Sequence, residues 1–478
     1  MTATLSPTRG TAEPRLTLPR RVVPWLAGSA IGLLLVRMTG PVVDPDTFWH
    51  ISTGDYVLAH GNFVGPDPFG ASATKPWVLN QWLPEVLMSW ADRLGGLGAV
   101  VWLYDLVLIL LVGAIWVSCR RRGSSLVAVV ITALALCATI GSLSPRPQVL
   151  TFLFMALTVD AWLRTADDRR ARWWLVPLNW LWACSHGMWF LGPGVALLVI
   201  LGMALERPRS ATRLVRLLLI PIGSLAAAAL TPAGWAILVS PFQVNEVTGY
   251  IQEWQPVETS YPPFIAALVL VCLVVLSAGR TRVGRRWTTV LLALAATFLM
   301  FRYGRTIAVA GAMLAPLASV ALQELTGMSR EPVNRRERLA LFAVPGVLVL
   351  AMTLMVPALR LPGTGPNALD PQLAALPSGT IVCNDWADGG WLIYKHPNVR
   401  VTIDPRAEIY STDHIEGYGK LLQGQPGWQQ YVDETGCRYA LFGKDSAAVE
   451  VLRLSKWQRV AAGDDYLLLR APAAGSRT

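Results

Sequence analysis

The stretch VVDPDTFWHISTGDY, residues 42–56, places two aspartates and a histidine directly after an apolar run that begins near Val22. A run of about 20 mostly apolar residues is long enough to cross a bilayer. Charged groups at the mouth of a membrane span are costly unless they bind a partner or cap a helix. The role of Asp44, Asp46 and His50 therefore depends on the topology of the whole chain.

The composition is that of a membrane protein. Of 478 residues, 53% are hydrophobic and only 15% are charged, whereas soluble domains carry about a quarter charged residues. The net charge of +10 arises from 41 Lys and Arg residues against 31 Asp and Glu residues. These basic residues cluster in short loops between apolar runs, which is the distribution that orients membrane helices. Nucleic acid is therefore not an expected partner.

The apolar runs predict a multi-pass topology with about eleven transmembrane helices. The runs begin near Val22, Leu97, Ser125, Val149, Trp174, Pro193, Leu217, Pro263, Trp287, Ile307 and Leu339. If the N-terminus is cytoplasmic, every loop on the inner side is rich in arginine, which agrees with the positive-inside rule. These inner loops begin at Arg120, Arg164, Glu206, Gly279 and Ser329. We therefore predict a plasma-membrane protein with its N-terminus in the cytoplasm and the region after Leu359 outside.

Three parts follow from this topology. Residues 1–21 are polar and basic and are predicted to form a disordered cytoplasmic tail. Residues 22–358 form the membrane core, which includes a long first exterior loop at 41–96. Within that loop, QWLPEVLMSWADRL has the spacing of an amphipathic helix that lies in the interface plane. Residues 359–478 form a separate exterior domain.

The exterior domain is predicted to be a small α/β fold. TIVCND, VRVTID, RYALFG and YLLLR have strand patterns, whereas DHIEGYGKLLQ, GWQQYVDE and SAAVEVLRLS have helix patterns. Strands that alternate with helices suggest an α/β layer. Cys383 and Cys437 fall in this region. They could form a disulfide outside the cell, or they could be two unpaired residues on separate strands.

The acids of the opening stretch are candidates for catalysis on the outer face. A carboxylate beside a partly dehydrated cavity keeps a basicity that it loses in bulk water. Asp46 could accept a proton from a sugar hydroxyl, with Asp44 or His50 orienting it. Asp44 and Asp46 could instead bind a divalent cation. The alternative is that Asp-Pro-Asp simply caps the next helix.

Arginines on the same face are candidates for phosphate binding. Arg302 and Arg305, in FRYGR, fall at the outer end of the ninth run, and Arg146, in SPRPQ, is also outside. Arg holds a phosphate by two parallel hydrogen bonds; the alternative is that these side chains extend to lipid headgroups. Four further polar residues are predicted to line the cavity or contact the acceptor: Gln81, Glu85, His186 and Glu253.

These segments together resemble the GT-C superfamily of glycosyltransferases. In the core the matching segments are DPDTFWHISTGDYVLAHG, DPFGASATKPWVLNQWLPEVL, PRPQ, SHG, TPAG, EWQP and FRYGR, and in the tail they are CNDWADGGWLIY and VTIDPRAEIY. The superfamily consists of integral membrane enzymes that use polyprenyl-phosphate-linked sugars. Its members commonly place the catalytic acid in the first outer loop, which implies Asp46 or Asp44. Many have Asp-Glu where this chain has Asp-Pro-Asp, so the choice between the two acids stays open.

The sequence therefore predicts an inverting-type glycosyltransferase of the cell envelope. Its donor would be a polyprenyl phosphate sugar, and its acceptor a glycan, lipid or protein. Asp46 would act as the base, and Arg302 and Arg305 would receive the phosphate across one cavity, without a closed salt bridge in the resting protein. The alternative is a transporter or lipid-binding scaffold with the same fold that does not catalyse transfer.

Overall fold

A computed structural model describes residues 42–206, 211–280, 286–358 and 363–472. The chain is a polytopic α-helical membrane protein with a small α/β domain at its C-terminal end. The predicted tail and the run that begins near Val22 lie outside the described residues.

The membrane region is built from helices of very different length. These are α1 (Pro45–His60), α2 (Trp82–Arg120), α3 (Ser125–Thr139), α4 (Gln148–Asp168), α5 (Leu175–Ala183), α6 (Leu191–Glu206), α7 (Ala211–Ala229), α8 (Ala236–Val247), α9 (Pro262–Arg280), α10 (Trp287–Arg302), α11 (Ile307–Thr326) and α12 (Arg335–Met355). A short antiparallel hairpin, β1 (Val64–Gly65) and β2 (Trp77–Val78), lies between α1 and α2.

Seven helical segments within the described residues are long and apolar enough to cross a membrane. Two shorter apolar helices, Leu214–Ala229 and Trp287–Arg302, accompany them. The run near Trp174 forms only the nine-residue helix α5, which at about 1.5 Å per residue is too short to cross a bilayer. The count of about eleven spans therefore stays a prediction.

The first long loop, which the sequence predicts to be exterior, is structured from its first described residues. Asp44 caps α1, because its side chain accepts a hydrogen bond from the backbone N–H of Asp46 at 2.9 Å. Pro45 occupies the first turn, where its missing N–H is not needed. The long helix α2 is broken at Gly95 and Gly96, where Gly96 has φ +63°. The break separates the predicted amphipathic segment from the apolar run that begins near Leu97.

The α/β domain contains a five-stranded mixed sheet. Its elements are α13 (Asp370–Ala374), β3 (Thr380–Asn384), α14 (Trp386–Lys395), β4 (Val399–Val401), α15 (Thr412–Leu422), α16 (Trp428–Thr435), β5 (Tyr439–Gly443), α17 (Ala447–Leu454), β6 (Gln458–Ala462) and β7 (Tyr466–Arg470). The strand order is β4-β3-β5-β7-β6. β3 pairs in parallel with β4 and β5, whereas β7 pairs antiparallel with β5 and β6.

The four strand patterns of the sequence coincide with β3, β4, β5 and β7. The sequence did not predict β6, an edge strand with mostly exposed side chains that lacks a clear apolar alternation. Cys383 and Cys437 form a disulfide, with Cα atoms 5.6 Å apart. The question that the sequence left open is thereby answered in favour of pairing.

The first long loop and the α/β domain share one hydrophobic core. Phe48 and Trp77 from the loop pack in the same cluster as Trp391 and Tyr410 from the domain. Isolated backbone bridges join Val42 to Gly363 and Gly70 to Val401. The domain is therefore seated on the loop that carries Asp44 and Asp46, and it covers the same face of the membrane region.

Candidate functional site

A cavity of about 1210 Å³ lies between the membrane helices and the α/β domain. Its walls come from the start of α1, the connection before α4, the turn before α6, the segment after α8, and α15. Eight of the ten predicted site residues line it: Asp44, Asp46, His50, Gln81, Arg146, His186, Glu253 and Arg305. The tertiary structure thus gathers these eight residues from six separate segments of the chain around one volume.

Arg146 lies at the centre of the charged groups. Its Nη1 donates to Asp46 Oδ2 at 2.7 Å, and its Nη2 donates to Glu253 Oε1 at 2.5 Å. Its Nε lies 3.3 Å from Asp44 Oδ2. Burial raises the pKa of Asp44 above its usual range, although Arg146 opposes that shift. The guanidinium group therefore holds three carboxylates in one cluster.

Asp46 is held on both of its carboxylate oxygens. Oδ2 faces Arg146, and Oδ1 accepts a hydrogen bond from Trp49 Nε1 at 3.1 Å. We expected Asp46 to face Arg302 and Arg305 across an open gap. Instead it forms a salt bridge with Arg146, because the connection that carries Arg146 lies against α1, where Thr47 Oγ1 donates to Pro145 O.

Arg305 forms the second cationic position. Its Nη1 lies 3.6 Å from Glu253 Oε2, and its Nη2 lies 3.3 Å from His186 Nε2. His186 is oriented in turn by Thr151, whose Oγ1 lies 2.9 Å from its Nδ1. The Nε of Arg305 is buried and has no hydrogen-bond partner among the described residues. A buried donor without a partner is costly, so this atom is available to an acceptor on a ligand.

Arg302 does not line the cavity. Its side chain is exposed, and its guanidinium lies 4.5 Å from the centre of the Tyr303 ring. The helix α10 ends at Arg302, and the following turn directs Arg305 inward instead. The prediction that Arg302 and Arg305 both border one cavity is therefore wrong, because only Arg305 lines it.

Glu85 also lies outside the cavity wall, behind His50. His50 Nδ1 is 2.8 Å from Glu85 Oε1, and both side chains are buried. Burial lowers the pKa of His50 well below its usual range, and the nearby Arg146 lowers it further. At neutral pH the imidazole is therefore uncharged, and Glu85 orients it.

Sequence reasoning missed several polar residues of the cavity wall, among them Gln148, Arg406 and Glu408. Gln148 lines the cavity, and both polar atoms of its buried amide lack a partner among the described residues. Arg406 and Glu408 reach the cavity from the α/β domain. Burial raises the pKa of Glu408, and the neighbouring charge of Asp46 adds to that shift. The segments PRPQ and VTIDPRAEIY contained these residues, but no spacing rule connected them to the site.

Arg406 joins the α/β domain to the first loop. It is fully buried, and it pairs with Asp67 at 2.6 Å and Asp404 at 2.7 Å. Its guanidinium also lies 4.5 Å from the centre of the Trp77 ring. The positive charge of Arg406 is therefore balanced by these two carboxylates, although the residue borders the cavity.

Asp44 and Asp46 do not fit a metal site in this arrangement. The Arg146 guanidinium already lies against both carboxylates, so a cation would have to displace it. Over the described ranges, no group of three or more His, Cys, Asp or Glu side chains is placed to hold a metal ion. A divalent cation of the calcium or magnesium type takes about six or more oxygen ligands.

The helical membrane core, the structured first loop and the C-terminal domain that covers it together have the fold of the GT-C membrane glycosyltransferases. The resemblance inferred from the sequence segments is confirmed at the level of fold. No known family profile matches the chain, and no curated protein sequence matches it.

Two solved structures illustrate the likeness. The oligosaccharyltransferase AglB from Archaeoglobus fulgidus, solved in complex with an inhibitory peptide and a dolichol-phosphate, matches with a TM-score of 0.58 and 11% identity, over 89% of this chain and 70% of that chain. ArnT from Cupriavidus metallidurans, bound to undecaprenyl phosphate, matches with a TM-score of 0.54 and 14% identity, over 95% of this chain and 98% of that chain. Another structure of the Archaeoglobus enzyme is a complex with Zn and sulfate (TM-score 0.55).

Proposed function

We propose that this chain is a membrane glycosyltransferase that moves a sugar from a polyprenyl-phosphate donor to a cell-envelope acceptor. The observation that carries this proposal is the cavity itself, where Arg146 and Arg305 lie beside the carboxylates of the first loop. The buried Nε of Arg305 and the buried amide of Gln148 have no hydrogen-bond partner within the described ranges, and a polar ligand in the same volume would supply one. Solved structures of the same fold contain polyprenyl phosphates.

The proposed reaction is a single displacement at the anomeric carbon of the sugar. The acceptor oxygen forms a bond to this carbon while the bond to the phosphate oxygen breaks. The proton of the acceptor hydroxyl passes to Asp46, and polyprenyl phosphate leaves with its charge held by Arg305 and Arg146. Phosphate is a good leaving group, so positioning and charge neutralisation supply most of the rate.

The remaining groups position the reactants. Asp44 fixes the start of α1, on which Asp46 stands. His50 is uncharged at neutral pH and is oriented by Glu85, so it can hold an acceptor hydroxyl. Trp386 and Tyr418 of the α/β domain border the outer part of the cavity, where the acceptor would enter from the water.

The orientation belongs to the same proposal. The N-terminus is cytoplasmic and the α/β domain is exterior, in the plasma membrane, as the arginine-rich loops predict. The Cys383–Cys437 disulfide supports this orientation, because disulfides persist in oxidising compartments outside the cytosol. The exposed Leu87, Trp90 and Leu94 on the first segment of α2 suit contact with the membrane surface.

Donor binding can be tested with undecaprenyl phosphate and the purified full-length protein. Arg305→Gln should weaken binding by about tenfold or more, because it removes charge-assisted hydrogen bonds. Arg302→Gln is the matched control, since Arg302 ends the preceding helix and does not line the cavity. Equal losses in both variants would contradict the proposed phosphate position.

Transfer can be tested in cells without knowing the sugar. A strain that lacks this chain is complemented with the wild type or with Asp46→Asn, and its envelope glycans and lipids are compared by mass spectrometry. A sugar addition restored by the wild type and absent with Asp46→Asn, while undecaprenyl phosphate binding is retained, is the expected result. Restoration by Asp46→Asn would exclude Asp46 as the base. Binding without any wild-type-dependent addition would favour the lipid-binding scaffold.

A further inference from the structure

Glu253 bridges the two arginines to which the proposed function assigns the donor phosphate. Its Oε1 accepts from Arg146 Nη2 at 2.5 Å, and its Oε2 lies 3.6 Å from Arg305 Nη1. The two oxygens of one anion thus face two guanidinium groups. A phosphate between the same arginines would make the same kind of contact.

The charge balance of the cavity favours the exchange of this anion for a phosphate. The described wall carries five carboxyl groups, from Asp44, Asp46, Glu253, Glu408 and Glu416, against three guanidinium groups, from Arg146, Arg305 and Arg406. The charge of Arg406 is already balanced by the fully buried Asp67 and Asp404. An added phosphate would meet excess negative charge unless one carboxylate withdrew.

Glu253 is the carboxylate best placed to withdraw. Its side chain is 41% exposed, whereas the side chains of Asp44 and Asp46 are 15% and 18% exposed. Asp44 caps α1, and Asp46 is held by Trp49 as well as by Arg146. Glu253 belongs to a three-residue 3-10 turn, Gln252–Trp254, on the connection between α8 and α9. Rotation of its side chain into solvent therefore leaves the helices intact.

The connection itself keeps Glu253 near the arginines. Gly304 N donates to Gln255 O at 2.9 Å, and Trp254 lies under Arg305, with 5.5 Å between the guanidinium carbon and the ring centre. At the other end, Tyr250 donates to Glu416 of α15 at 2.8 Å. Glu253 can thus leave the arginines and return to them without release of the whole segment.

We propose that Glu253 occupies the donor-phosphate position in the resting protein and competes with the phosphate for Arg146 and Arg305. This inference rests on the proposed function. A resident carboxylate keeps the two guanidinium groups from repelling each other when the site holds no ligand. It also lowers the affinity for the polyprenyl phosphate product, because it reclaims the arginines as that product leaves. Glu253 is therefore a positioning residue that sets phosphate affinity and takes no part in bond making.

The test measures binding of undecaprenyl phosphate to the full-length protein in nanodiscs, by titration under constant salt. Glu253→Gln keeps the size of the side chain and removes its charge, and it should tighten binding by about fivefold, the strength of a good partly exposed ion pair. Glu258→Gln is the matched control. Glu258 lies on the same connection and is exposed, its side chain accepts a hydrogen bond from Ser260, and it does not line the cavity. Its affinity should equal that of the wild type.

Two further probes separate the sources of the anion. Inorganic phosphate should compete with undecaprenyl phosphate more effectively in Glu253→Gln than in the wild type if the arginines recognise the phosphate group alone. If only the lipid-linked phosphate gains affinity, the site is specific for the lipid. Undecaprenol, which has no phosphate, should bind all variants alike, and a gain for undecaprenol would overturn the proposal.

The outcomes distinguish this inference from the proposed function. If the wild type binds undecaprenyl phosphate and Glu253→Gln binds it equally or more weakly, the competition is wrong while the proposed donor stands. If neither protein binds it, both proposals fail. Binding by Glu253→Gln alone would support the competition directly. Thermal unfolding of both variants without ligand confirms that the exposed substitution leaves the fold intact.

Discussion

Asp44 both caps a helix and borders the proposed site, so the two interpretations of this residue are compatible. Its side chain caps α1, as an aspartate before a proline commonly does, and it also borders the cavity beside Arg146. The cap orients the first turn of α1, and that turn carries Asp46 into the same cluster. A capping role therefore does not argue against a site role here, because the cap determines where the neighbouring carboxylate lies.

Asp388 gives a pH-dependent prediction at the residue scale. Burial raises the pKa of its carboxyl to about 7, and the nearby Asp385 adds to the shift, although Tyr466 donates a hydrogen bond to it. Because the folded pKa exceeds the unfolded value, the protonated carboxyl contributes stability at low pH, and that contribution is lost as pH rises from about 4 to about 7. Asp388→Asn should abolish this loss, so the variant should unfold at a higher temperature than the wild type above pH 7.

The measurement is thermal unfolding of both proteins in detergent between pH 5 and pH 8.5. The difference between the two melting temperatures should grow with pH and level off above about pH 7. A difference that is constant with pH would show that Asp388 has an ordinary pKa in the folded protein.

The contact between α14 and α1 positions the site at the scale of elements. The backbone of α14 approaches the start of α1 so closely that a Cβ on Gly390 would lie 2.2 Å from Pro45 O. The neighbouring Gly389 makes a similar approach, to Ile403 O. The pair of glycines in CNDWADGGWLIY is thus explained by packing, because any side chain there would push the domain away from the loop that carries Asp46.

Gly390→Ala should therefore destabilise the protein by about 1–3 kcal/mol, the usual cost of overpacking. Gly419→Ala on α15 is the control, because a Cβ there meets nothing within 4 Å. The control should be neutral or slightly stabilising, since alanine favours helices over glycine. Chemical unfolding followed by tryptophan fluorescence compares the two, and equal stabilities would show that α14 does not seat on α1 in this way.

At the scale of the whole molecule, the cavity and the arginine-rich connections lie at opposite ends of the membrane helices. The cavity lies between the membrane helices and the α/β domain, so the site exists only where that domain sits on the first loop. The arginine-rich connections, such as the one with Arg121 and Arg122 around Asp160, lie at the other ends of the helices. Orientation in the membrane therefore decides which compartment the cavity serves.

A pair of reporter fusions tests that orientation. Alkaline phosphatase fused after Thr478 should be active, and a fluorescent protein at the same position should remain dark, because both report the exterior. Fusions after Arg330, within a predicted inner loop, should give the opposite pattern. The reverse result at both positions would place the cavity in the cytoplasm and remove the basis for an envelope acceptor.

The features that depend on local pattern could be predicted from the sequence alone. Apolar runs long enough to span the membrane, arginines between them, and strand patterns in the tail were all visible, because bilayer thickness and backbone periodicity impose them on neighbouring residues. The family resemblance followed from short sequence segments, and eight of the ten predicted site residues line the cavity. The strand β6 did not, since its side chains are mostly exposed and carry no periodic signal.

Which charged side chains form ion pairs depends on the packing of the whole fold. Asp46 pairs with Arg146, 100 residues away, and Arg406 pairs with Asp67, 339 residues away. The sequence placed Arg302 and Arg305 together because they are neighbours in the chain, but the end of α10 separates their directions. Ion pairs form between groups that packing brings within about 4 Å. Packing between distant segments depends on the whole fold. A local sequence pattern therefore could not show which arginine on this face pairs with Asp46.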